Sequence, residues 1–380
     1  MNFASIFIFG YIFFRVIFPR KIHILWRILL GVPLFLASFK ALILHKLGGE
    51  NFFAPDLPGF LLILGGFLFA LVLFFFILSL LWDLGRGGWL LFLWWKKKFP
   101  SRNIRRKWDL YAFSILLAVS FLLAFLGICN GIKLPAIKEI PLAIPALSQE
   151  NEGMRIALLA DLHVDRFTGE KRIRELVKKV NAAKPDLILL LGDYVDGPVK
   201  RCGKSLLPLK ELKAPYGVYG VMGNHEYFSG FDEWKNFFAS LPIRILYNES
   251  ILLPGGLLLA GVTDQVASRY GLEGPDIKKA LRDHPGKRPI LLLSHRPAFA
   301  EEAAKAEVAL QLSGHTHGGM LPLLDLLVAK YNKGFVSGRY KVGNMLLYVM
   351  NGSGIWNGFP IRLFHPSEIT LITLRKAPSP

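Results

Sequence analysis

Cysteine is almost missing from this chain. Only Cys129 and Cys202 occur among 380 residues, too few for a disulfide scaffold or a thiolate metal site. Charge is also sparse. Charged side chains make up 19% of the sequence, whereas soluble domains carry about a quarter. Apolar residues reach 52%, with 30 Phe and 8 Trp, which excludes an intrinsically disordered chain and an ordinary, wholly water-solvated one. Acidic residues are scarce, 28 against 46 basic, for a net charge of +18. That excess is not a nucleic-acid signature here. Ten of the eighteen charges fall in residues 1–130, which hold 14 Lys and Arg against 4 Asp and Glu, and basic residues beside apolar runs report topology first. No aromatic-plus-basic strand surface is evident either.

The apolar excess is concentrated in the first third. Pro58 to Trp82 and Leu110 to Ile132 carry no charge over 25 and 23 residues, longer than the roughly 20 that cross a bilayer as helix. Asn2 to Phe18 is shorter, with Arg15 near one end where it is expected to snorkel, and Ile22 to His45 includes Arg27 and Lys40. A cleaved signal peptide is disfavoured for the first, which lacks a basic start and a small-residue cleavage site. Together these predict about four transmembrane helices in residues 1–132. Eight basic residues lie between Asp83 and Asp109 and mark a cytoplasmic loop, with Trp89 to Trp95 expected in the headgroup layer. The chain after residue 132 is then expected outside the cytoplasmic membrane. Residues 133–150, with Pro135, Pro141 and Pro145, read as an extended connector, and 151–380 as one soluble domain.

From Met154 short apolar runs alternate with amphipathic stretches, the pattern of an α/β domain. Polar residues follow where the runs stop: Asp161 and His163, Gly192-Asp193-Tyr194-Val195-Asp196, Gly223-Asn224-His225-Glu226, Ser294-His295, and Gly314-His315-Thr316-His317-Gly318-Gly319. Groups at the carboxyl ends of successive strands converge. Carboxylate, imidazole and amide oxygen without thiolate form a donor set for Mn, Fe, Zn or Mg, and a pair of such ions can clamp a phosphoryl group. Lys171 to Lys179 is interrupted by Ile173, Leu176 and Val177 at helical spacing, so its charges form a solvated helix face. Arg166, Tyr227, Phe228, Arg296 and Trp356 lie near the motifs and are candidate substrate contacts, Arg296 and Tyr227 foremost.

In this order DLH, GDYVD, GNHE, SHRP and GHTHGG resemble the calcineurin-like metallophosphoesterase superfamily, in its membrane-attached bacterial branch, from Met154 to about Leu374. Tyr348 to Gly354, Phe359 to Arg362 and Pro366 to Leu374 look like that branch's closing strands. The resemblance implies a β-sandwich of two mixed sheets flanked by helices. It implies two divalent ions, one held by Asp161, His163 and His317, the other by Asn224, His295 and His315, with Asp193 bridging. His225 would act on the substrate as the catalytic residue, and hydroxide generated at the ions would attack phosphorus. Asp196 and Glu226 would orient imidazoles. Met320 stands where many relatives carry Gln, which leaves the ligands intact but weakens substrate inference. The expected activity is hydrolysis of a phosphomonoester, phosphodiester or pyrophosphate bond, with the bilayer as partner and a membrane lipid as candidate substrate. The alternatives are a nuclease or cyclic-nucleotide phosphodiesterase, and a non-catalytic metal-binding scaffold.

Overall fold

The computed structural model describes residues 2–20, 22–47, 57–165, 168–283, 288–356 and 358–377. Two compact units emerge, Met1–Asn130 with Asn357–Ile361, and Gly131–Trp356 with Arg362–Pro380.

The first unit is helical. Among the described residues two helices are long and apolar enough to cross a membrane, Gly59–Trp95 and Arg102–Ile132. The other two expected spans are shorter apolar helices, Phe3–Ile17 and Ile24–Ser38, about 22 Å each at 1.5 Å per residue, against a hydrocarbon core of about 30 Å. Nothing interrupts the backbone at Asp83, so Trp89 to Trp95 forms the last turns of the 37-residue helix rather than part of a loop. Arg15 meets acidic partners. Its Nε lies 2.7 Å from Asp83 Oδ2 and its Nη2 3.1 Å from Asp109 Oδ2, and Arg86 Nε reaches Asp109 Oδ1 at 3.3 Å. Tyr11 donates its hydroxyl to Asp83. Two arginines and two aspartates thus neutralise one another where three helices meet. Elsewhere in this unit the buried Lys40 donates to the Gly358 carbonyl at 3.1 Å.

The second unit holds β1 (Ala136–Ile144), β2 (Arg155–Leu159), β3 (Leu187–Leu190), β4 (Val218–Gly220), β5 (Arg244–Ile245), β6 (Glu249–Leu252), β7 (Leu258–Gly261), β8 (Ile290–Leu293), β9 (Leu310–Ser313), β10 (Gly338–Val342), β11 (Met345–Val349) and β12 (Glu368–Lys376). They form two six-stranded mixed sheets, ordered β1-β12-β2-β3-β4-β5 and β10-β11-β9-β8-β7-β6. β2, β3 and β4 run parallel in one, β7, β8 and β9 in the other. Between the sheets pack Ile156, Leu158, Leu187 and Leu189 against Leu291, Leu293, Leu310 and Leu312. The alternate residues Ala157, Leu159, Ile188 and Leu190 face outward onto helices, among them Glu170–Ala182, which buries Ile173, Leu176, Val177 and Val180. Burial on both faces explains why these strands read as unbroken apolar runs.

Residues 136–144, read above as connector, are an edge strand. β1 lies parallel to β12, with Ile140 opposite Ile372 and Leu142 opposite Leu374, and it buries Ile140, Leu142 and Ile144. Pro141 is tolerated because an edge strand has one side free of ladder bonds. Of the closing segments, Glu368–Lys376 is a strand, whereas Phe359 to Arg362 is not.

Candidate metal centre

The parallel strands of both sheets end at one place. Asp161 and His163 follow β2, Asp193 follows β3, and Asn224 and His225 follow β4. From the other sheet, His295 follows β8, and His315 and His317 follow β9. Three groups of donor atoms each lie within 4.8 Å of one another: Asp161, His163 and His317; His163, Asp193 and His225; Asp193, His295 and His315. All eight expected site residues except Asn224 therefore appear in a cluster of ionisable donors. Asn224 enters as an amide: its Oδ1 is buried and accepts no hydrogen bond among the described residues.

The backbone is unusual here. Asp161, His163, Asp193, His315 and His317 have φ of 53°, 46°, 54°, 71° and 51°, a left-handed conformation that costs a side-chain-bearing residue about 1–3 kcal/mol. It persists because the surroundings over-determine it. Asp161 N donates to Gly192 O, His163 N to Asp193 O, and His315 N to both carboxylate oxygens of Asp161 at 3.0 and 3.1 Å. Sharp turns let each side chain double back into the same space.

Outer contacts set the direction of each ring. Asp196 Oδ1 takes Nδ1 of both His163 and His225, and Leu191 O takes Nδ1 of His295 at 2.7 Å. An Nδ1 proton leaves a lone pair on Nε2 of a neutral imidazole. His163 Nε2 stands 3.1 Å from His317 Nε2, and His295 Nε2 stands 3.2 Å from His315 Nδ1 and 3.1 Å from Asp193 Oδ2. Glu226 accepts backbone N–H bonds from Gly223, Asp193 and Tyr194, which ties the β3 and β4 turns together. Converging imidazole nitrogens, buried carboxylates and an orphaned amide oxygen fit divalent cations.

Electrostatics divide the imidazoles. Burial opposes charge on His225, His295, His315 and His317. Asp193 and then Asp196 outweigh it at His225, held up at about 9, and Asp193 outweighs it at His295, held up at about 10. Burial followed by Arg296 pushes His315 well below its ordinary value, and burial followed by the neighbouring His163 ring does so for His317. Burial pushes Asp161 up to about 6, but His295 and His225 overcome burial at Asp193 and hold it well below the carboxylate range.

Arg296 lies at the rim, its Nη1 3.2 Å from His315 Nε2 and its Nε 2.8 Å from Asp264 Oδ2. Tyr227 instead lies in the core, 2% exposed and stacked on Phe231 at 4.5 Å. Phe228 is 5.6 Å from the His225 ring, and Trp356 5.9 Å from that of His317. Arg166 lies outside the described residues. Met320 is buried, with φ 61°. Sequence reasoning missed Asp264 and Arg362. Asp264 had a signal, since it ends the apolar run of β7 as the other site residues end theirs. Arg362, whose Nη2 is 3.2 Å from His317 Nδ1, had none: 45 residues separate the partners.

The chain matches the calcineurin-like phosphoesterase family over residues 154–319. It is 37% identical over 265 residues to an uncharacterized metallophosphoesterase of Helicobacter pylori strain J99, covering 68% of this chain and 70% of that one. The chain belongs to the calcineurin-like phosphoesterase family. It is thus a metal-dependent phosphoric ester hydrolase with the family's two-sheet α/β fold. A transmembrane protein with metallophosphoesterase domain from Danio rerio is 33% identical over 275 residues, 69% of this chain and 62% of that one. The likeness therefore extends beyond bacteria, and it accords with membrane association through the two long apolar helices. Among solved structures, a 5'-nucleotidase precursor from Thermus thermophilus aligns at a TM-score of 0.37 with 16% identity, over 58% of this chain and 54% of that one.

Proposed function

We propose that this phosphoesterase is a multi-pass protein of the cytoplasmic membrane that carries a two-ion centre on the outer side and hydrolyses a phosphomonoester, phosphodiester or pyrophosphate bond of a lipid-linked substrate. The observation that carries the two-ion reading is Asp193. Its carboxylate belongs to two donor groups at once, 3.1 Å from His295 Nε2 and 4.0 Å from His163 Nε2. Asp161, His163 and His317 would hold one ion, Asn224, His295 and His315 the other, with Asp193 shared. When bound, such ions supply positive charge against the phosphoryl oxygens and acidify water.

The chain's own groups do the rest. Asp196 takes the Nδ1 proton of His225 and turns Nε2 toward the centre, 3.9 Å from Asp193 Oδ2, where it holds a proton for the departing oxygen. Arg296, fixed by Asp264 on one side and set beside His315 on the other, offers its guanidinium to the phosphoryl group. The eight basic residues between Asp83 and Asp109, seven of them from Lys96 to Lys107 where the two long helices are joined, support a cytoplasmic junction and so an external domain.

The test is hydrolysis of bis(p-nitrophenyl) phosphate and p-nitrophenyl phosphate by the full chain in nanodiscs with Mn²⁺. Turnover that EDTA removes, and that Asp193→Asn and His225→Ala each abolish, is expected. Turnover that survives Asp193→Asn would overturn the shared-carboxylate centre.

A further inference from the structure

The turn carrying His317 runs into a helix that the core does not use. Leu324–Tyr331 has no buried residue, although six of its eight residues are apolar. Leu326 is 67% exposed and Tyr331 76%, with Leu323 and Leu327 also exposed, and Phe364 reaches 81%. Single exposed apolar residues are ordinary on any surface, but a group of them marks an interaction site.

Backbone contacts join the two segments that carry this group. Leu363 N donates to Met320 O at 3.0 Å, and the start of the helix packs on the ligand turn so closely that a Cβ at Gly319 would stand 2.5 Å from Asp325 Cβ. The apolar face therefore adjoins the metal centre. Phe364 stands two residues from Arg362, which reaches His317. From Met320 to Lys341 the chain has Lys330, Lys333, Arg339 and Lys341 against a single acid, Asp325. Lys330, Arg339 and Lys341 are exposed.

We propose that Leu323, Leu326, Leu327, Tyr331 and Phe364 enter the headgroup layer of the bilayer, while the neighbouring basic side chains meet lipid phosphates. This rests on the reading that the chain is membrane-anchored, and it makes the phosphoester of a membrane lipid the substrate class that reaches the site. Apolar side chains beside a basic surround are how a surface binds anionic membrane. A second copy of the chain would bring the same positive charge against this face. The two long apolar helices keep a bilayer within the reach of the domain.

The experiment uses the full chain with Cys129→Ser, in nanodiscs of mixed phosphatidylcholine and phosphatidylglycerol. An environment-sensitive fluorophore is placed through Leu326→Cys, Tyr331→Cys or Phe364→Cys, and through Lys213→Cys as an exposed control. The expected result is quenching of the first three by nitroxide-bearing lipid, with iodide quenching several-fold weaker than at residue 213. Iodide quenching equal to the control would overturn the inference, as would shielding from iodide without quenching by lipid nitroxide, the sign of a protein partner. Failure of the chain to enter nanodiscs would overturn the anchoring itself. A chain that enters with its labels in water would overturn only the docking.

Discussion

Asp196 Oδ1 accepts the Nδ1 proton of His225 at 2.5 Å, and the same oxygen takes that of His163 at 2.9 Å. One buried carboxylate thus orients both a ligand imidazole and the imidazole proposed to serve the leaving group. Removing its charge should disturb both. Asp196→Asn is expected to lower kcat/KM by about 10–100-fold, the usual cost of losing an outer partner of a metal ligand. Steady-state kinetics with elemental analysis of bound metal would check this. Unchanged kinetics would show that the two rings hold their directions without Asp196.

At Gly223 the constraint is space. A Cβ there would sit 2.6 Å from the Asp193 backbone nitrogen and collide with Asp193 Oδ1. Gly223→Ala is expected to destabilise the domain by about 1–3 kcal/mol through overpacking and to displace the shared carboxylate. Denaturant unfolding and metal titration should move together.

The edge strand β1 makes a prediction about domain boundaries. Ile140, Leu142 and Ile144 are each buried, and each such side chain stabilises the fold by about 1.5–3 kcal/mol. A fragment of residues 131–380 is expected to unfold at clearly higher denaturant than one of residues 151–380. Equal midpoints would mean that β1 adds nothing to the sheet.

In the helical unit, Arg15, Asp83, Asp109 and Arg86 stand in one network. Arg15→Gln leaves two carboxylates facing one arginine. A double-mutant cycle with Asp83→Asn is expected to show coupling of about 0.5–3 kcal/mol, read by thermal unfolding in micelles. Strict additivity would place the pair outside the stabilising contacts.

Burial pushes the Cys202 thiol up to about 11. At pH 8 it stays a thiol, and the thiolate is the nucleophile. In Cys129→Ser protein, Cys202 is expected to resist maleimide while folded and to react on denaturation. Rapid labelling of the folded chain would show that the helix Val199–Leu206 opens.

Much of the centre was legible because ligand chemistry is local. A short apolar run ended by Asp-x-His or Gly-His-Thr-His declares a strand end and its donors within a few residues, and the structure brings those donors together. Tyr227 was misleading for the same reason: its place beside His225 in the chain said nothing about which side of the helix Asn224–Phe228 it occupies, and it packs on Phe231 in the core. β1 was hidden by Pro141 and the flanking Pro135 and Pro145, and a parallel partner more than 200 residues away leaves no local trace. The ion pairs of Arg15 were not legible because its two acidic partners lie 68 and 94 residues away.

Sequence alone determined which segments are too apolar for water and which donor atoms are present, because hydropathy and ligand type belong to individual residues. Tertiary structure decided how those donors face one another. Two sheets had to pack before His295, His315 and His317 could meet Asp161, His163 and Asp193. The left-handed turns that aim five of these side chains inward are held by hydrogen bonds across strand ends, contacts that exist only once the sandwich has formed.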